Sequence, residues 1–100
     1  MLYAERTRLT ILRERPSPAV DPHALALSAL GWVLADDDRA ARLLALTGLT
    51  PDALRVGLGD PAVLSAVLEF LCGHEADLIA AAHELGVEPQ TLAAARRALA

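Results

Sequence analysis

His74 and Glu75 are the first neighbours in this 100-residue chain that could do chemistry together. They match the opening of His-Glu-x-x-His, in which two imidazoles one helical turn apart hold zinc and the glutamate serves as a base. Position 78 is leucine, so the second ligand is missing and the motif fails. His74 and Asp77 can share a helix face at a spacing of three, but His83 falls on a different part of the helix. The expected role of this stretch is a solvated helix start, its acids set against the positive end of the helix dipole. Cys72 is two residues before His74, yet a catalytic thiol needs a base at the sulfur and an oxyanion donor, and nothing supplies the donor. It is expected to be a small buried hydrophobe. As the only cysteine, it excludes an intrachain disulfide and a cysteine-based zinc site, and it points to a reducing, cytoplasmic setting.

Two further clusters invite a functional reading. Asp36-Asp37-Asp38 is densely acidic, but it lacks the alternating oxygen ligands, the glycine and the distal glutamate of a calcium loop, so helix capping is expected instead. Thr50-Pro51-Asp52-Ala53-Leu54-Arg55 follows a glycine turn in the manner of helix-turn-helix DNA readers. Only Arg55 could reach a base or phosphate there. No constellation brings nucleophile, base and oxyanion donor together, so the expectation is a protein without catalytic residues, metal or cofactor.

The chain is charged unevenly. Residues 1–20 carry Arg6, Arg8, Arg13 and Arg15 against two glutamates, whereas residues 21–100 carry five arginines against eleven acids. A body so acidic repels a duplex, which argues against nucleic-acid binding through it. Pro16 and Pro18 separate the basic head from the body, since two prolines in three residues are incompatible with a helix interior. The division expected is a basic, loosely ordered segment over 1–20 and a helical domain over 21–100. A short head helix, with Leu9 and Leu12 on one side, is marginal unless it docks.

The elements that position these residues are legible from punctuation. Asp21-Pro22, Thr50-Pro51 and Asp60-Pro61 each place a capping oxygen before a proline at the first helical position, where the missing N–H costs nothing. Glu88-Pro89 repeats the pattern with a weaker cap, and Asp36 or Asp37 can open a further helix. Gly48, Gly73 and Gly86 follow apolar runs, where a left-handed residue ends a helix. Helices are predicted over 22–35, 37–47, 51–57, 61–72, 74–85 and 89–99. With 54% apolar residues but only Tyr3, Trp32 and Phe70 as aromatics, the core must be built from leucine, valine and alanine, which favours helices over sheet. The result is an all-α orthogonal bundle of six short helices. The longest uncharged stretch, 22–35, falls short of the roughly 18–20 residues that span a bilayer, and no apolar run with a cleavage site follows the N-terminal arginines.

The six helices read as three written twice. Leu46 to Leu54 aligns with Glu84 to Leu92 at an offset of 38, sharing glycine, proline and the final leucine, and the same offset sets Trp32 on Phe70. The opening helix of each half is apolar nearly all round and should be central, with the second and third wrapping it. The order of 24–30, Asp36-Asp37-Asp38-Arg39, Leu46-Thr47-Gly48-Leu49, Pro51-Asp52-Ala53-Leu54-Arg55, Asp60-Pro61, 66–71 and 94–99 resembles a bacterial family of small Ala/Leu-rich helical proteins known as a domain of unknown function. The resemblance covers 22–99. It implies a bacterial, cytoplasmic, all-helical protein and carries over no catalytic or binding residue.

The apolar excess points to a non-catalytic interaction or adaptor module that buries a Leu/Val/Ala helix face against an unidentified protein partner or a second copy. Trp32 and Phe70 are the natural anchors if they are not ordinary core, and Arg6, Arg8, Arg13 and Arg15 would steer toward or order on an acidic surface. The alternative is nucleic-acid association through the basic head with Arg96 and Arg97.

Overall fold

The computed structural model describes residues 21–100, so the head and its four arginines lie outside the described residues. Six α-helices follow one another: α1 (Pro22–Leu34), α2 (Asp37–Thr47), α3 (Pro51–Val56), α4 (Pro61–Cys72), α5 (Glu75–Leu85) and α6 (Pro89–Leu99). A 3-10 turn, Gly57–Gly59, joins α3 to α4, and the described residues hold no strand. The all-α bundle is the architecture the composition requires.

Each helix start is made by local chemistry. The Asp21 carboxylate accepts the His23 N–H at 3.3 Å, Asp36 that of Asp38 at 3.2 Å, and Asp60 that of Ala62 at 2.9 Å. The Thr50 hydroxyl accepts the Ala53 N–H at 3.0 Å. These bonds satisfy donors that an α-helix leaves orphaned in its first turn. Glu88, by contrast, makes no side-chain cap, and α6 relies on Pro89 to set its first turn.

The helix ends follow expectation at two glycines and depart from it at the third. Gly48 and Gly86 are left-handed, with φ of 76° and 71°. Gly73 has φ −81° and stays in the right-handed region. The reason is the spacing of the helices: His74 is already the extended N-cap of α5, so the corner is turned there rather than at the glycine. The same crowding moves three boundaries, so that α1 stops at Leu34, α3 yields at Val56 to the 3-10 turn, and α5 starts at Glu75.

The core centres on α4, whose Leu64, Val67, Leu68, Phe70 and Leu71 are buried. It packs on Leu25, Ala26, Ala29, Leu30 and Val33 of α1, the other apolar helix, as expected. Its most extensive neighbour is α6, which also packs along α1 and so completes a central triad. A peripheral place for α6 is thereby corrected. Leu92, Ala95 and Leu99 fall on one side at helical spacing, and the small Ala95 lets the axes approach. Helices α2 and α5 lie outside, each touching α1 and α4. Because α3 has no comparable packing on α1, the two helical triplets are packed differently. Among the described residues no polar or charged side chain is buried, and no helix is long and apolar enough to cross a membrane.

The glycine geometry predicts a split among three alanine variants. Gly48→Ala and Gly86→Ala should each lose roughly 1–2 kcal/mol, the cost of a left-handed L-residue. Gly73→Ala should be neutral or gain up to about 1 kcal/mol, since its added Cβ would meet the Glu69 and Phe70 carbonyls at an ordinary 3.6 Å. Urea unfolding measures all three, and equal losses would contradict the assigned conformations.

Candidate functional site

The residues with chemical potential are kept apart. His74 turns back along α4, its Nδ1 donating to the Phe70 carbonyl at 2.8 Å and its ring 4.9 Å from the Phe70 ring. It is half-buried, not the solvated helix start expected, because the corner turned at His74 itself brings its ring onto the end of α4. Asp77 is drawn away, accepting Arg42 Nη1 of α2 at 2.9 Å and tying α2 to α5. His83 is exposed near the other end of α5, and Cys72 is free and half-buried where full burial was expected. Among the described residues no group of three His, Cys, Asp or Glu side chains could hold a metal ion.

Asp36 acts as a cap, as the spacing predicts. Arg55 is ion-paired with Asp52 on its own helix, and that helix is six residues long. Neither its length nor its charge suits a recognition helix.

Trp32 and Phe70, equivalent in the sequence offset, have different surroundings. Phe70 is core, at 5% exposure. Trp32 is half-buried under the guanidinium of Arg39, whose carbon lies 3.6 Å from the indole centroid. Arg39 Nη2 donates to the Trp32 carbonyl at 2.8 Å, and its Nε sits 3.8 Å from the Asp36 carboxylate. One arginine therefore covers the tryptophan face, adds a second donor to a carbonyl that already accepts the Ala35 N–H at 3.3 Å, and approaches the cap of α2. This arrangement spans a helix boundary at a spacing of seven, which no single-helix pattern reveals.

An apolar cleft of about 410 Å³ lies between α1, α2, α3 and the 3-10 turn. Leu30 and Leu34 form one wall, Ala40 and Leu44 the second, and Pro51, Leu54, Arg55 and Leu58 the third. Leu34 and Leu58 remain 45% and 40% exposed at its mouth. A smaller cleft of about 350 Å³, between the ends of α2 and α4, holds Leu46, Glu69, Phe70 and His74. The sequence did not single out these leucines, which lie on three separate helices and the 3-10 turn. The signal available was the missing polar face of α1, which left Leu34 with no partner inside its own helix.

The fold and its site thus define a small all-α bundle with an apolar surface cleft. The chain belongs to the family of proteins of unknown function DUF3572, whose model matches residues 19–100. No curated protein and no solved structure matches it.

Trp32 is the single tryptophan, so its emission reports the Arg39 contact. Arg39→Ala should shift that emission to longer wavelength and cost roughly 1 kcal/mol, as for a partly desolvated cation–π contact. Arg39→Lys should give an intermediate shift, because an ammonium cannot stack as a plane. Unchanged emission in the alanine variant would contradict the stacked geometry.

Proposed function

We propose that the protein is a non-catalytic interaction module that takes an amphipathic helix of a protein partner into the cleft between α1, α2 and α3. The observation that carries this reading is the cleft itself: five leucines from three helices and the 3-10 turn wall it, and two of them stay exposed at its mouth. A helix presenting apolar residues at spacings of three and four fits such walls, and burial of those residues supplies the free energy. The setting is cytoplasmic, in keeping with a single unpaired cysteine. Self-association through the same surface belongs to this reading, since a second copy also presents apolar helix faces, and a doubled three-helix unit accounts for the sequence offset between the halves.

The test uses the full chain at native level in its own cells, recovered with and without nuclease, beside a Leu34→Glu/Leu58→Glu variant. A stoichiometric protein that survives nuclease, cross-links to the cleft walls and is weakened at least tenfold by the variant supports the reading. Both substitutions are at exposed positions, so the body should keep its helical circular dichroism. A partner retained by the variant overturns the cleft assignment, and recovery lost with nuclease moves nucleic acid to first place.

A further inference from the structure

Gly31 stands inside α1, where glycine is the poorest helix former after proline. Nothing within the described molecule accounts for it. Its φ is not positive, unlike those of Gly48 and Gly86, and the Cβ of an alanine there would meet no atom within 4 Å among the described residues. Neither backbone conformation nor internal packing needs the missing side chain. The physical use left for this glycine is the close approach of a backbone from outside.

The surroundings of Gly31 fit such an approach. Ala24, Leu27, Ser28, Gly31 and Leu34 of α1, with Ala35 at its C-cap, are all exposed, and at helical spacing they make one continuous face. Leu27 and Leu34, seven residues apart, run along one edge; Ala24, Ser28 and Ala35 run along the other, with Gly31 between. No Asp, Glu, Arg or Lys occurs from Pro22 to Ala35, so covering this face desolvates no such charge. It shares only Leu34 with the cleft between α1, α2 and α3.

We propose that this face is covered by the same face of a second copy, so that the protein is a homodimer built on α1 paired with α1. The face is complementary to itself. A twofold axis along the helices sets the leucine edge of each copy against the small edge of the other and brings Gly31 against Gly31, where the two backbones can come close. Area is consistent with that occupant. Residues 24–35 extend about 18 Å at ~1.5 Å per residue, and one helix pair of that length belongs with interfaces under about 1,200 Å² in total. So small a patch suits a twofold dimer, in which every favourable contact occurs twice, and it sets the dissociation constant in the micromolar range. Each copy carries a net charge of −4, so the two repel at a distance and salt relieves the repulsion.

Sedimentation equilibrium of the full chain, without any partner, tests the dimer apart from the cleft. The unmodified chain should dimerise at micromolar concentration, and more tightly as NaCl is raised. Gly31→Ala should raise the thermal midpoint of the dilute monomer, yet weaken the dimer at least tenfold, because the added methyl occupies the point of closest approach. Ser28→Glu, at an exposed position, should weaken it as much by placing a charge in the interface. Both substitutions favour the helix, so a failure to fold does not imitate loss of the dimer. Three results overturn the proposal: a chain that stays monomeric on hundredfold concentration from the micromolar range, a dimer that both variants leave intact, and association that weakens with salt, which would assign it to the arginine-rich head of one copy on the acidic body of another. None of these decides whether a partner enters the cleft, because the recovery experiment with Leu34→Glu/Leu58→Glu reads that directly.

Discussion

A core without a single buried polar side chain among the described residues is the constraint on which the other features rest. Such an interior offers no hydrogen-bond partner to a helix terminus, so every terminus must be satisfied by its own sequence or by water. Four of the six helix starts therefore carry a side-chain cap, and three of those caps are aspartates. Part of the body's acidity is thus a structural requirement of an apolar core divided among short helices. The interior is correspondingly plain. Among the described residues five leucines are fully buried with two valines, and Phe70 is the one buried aromatic. Alanines such as Ala26, Ala29 and Ala95 let the helix axes come close enough for the leucines to interdigitate.

Features that depend on a few consecutive residues were readable in the sequence. Aspartate or threonine before proline located three helix starts, because cap and first turn are decided within four residues. Gly48 and Gly86 were readable for the same reason, while Gly73 was not, since its conformation depends on how soon the next helix begins. The place of α6 was hidden by Arg96 and Arg97, which make its last turn look like surface although Leu92 and Ala95 face the core. Trp32 and Phe70 occupy matching positions in the sequence, but their surroundings are made by other elements. Arg39 comes from α2, and nothing on α1 specifies it. The cleft was least legible, because its walls meet only through the packing of three helices.

The apolar excess of the sequence divides into two parts with different meanings. Much of it is alanine on outer faces, as at Ala41, Ala45, Ala80 and Ala98, where exposing a single methyl costs little. The rest is a small set of large exposed side chains, Leu27, Leu34, Leu46, Val56, Leu58 and Ile79. Single exposed leucines are ordinary on protein surfaces. Leu34 and Leu58 differ because they border one concavity with three more leucines inside it. Their position, more than the overall composition, distinguishes a surface suited to another helix from one that is merely greasy.

The third wall of that cleft is also the least secured part of the fold. Helix α3 has six residues and sends only Leu54 into the core, and Val56 beside it is 85% exposed. The flanking connections are short and rich in glycine, with Gly48 before the helix and Gly57 and Gly59 after it. An element with so few apolar anchors opens at a free energy well below that of global unfolding. The walls from α1 and α2 belong to longer, better anchored helices, so fluctuations in the width of the cleft come chiefly from α3. On the reading proposed above, a slot with two fixed sides and one yielding side would accommodate helices of different girth.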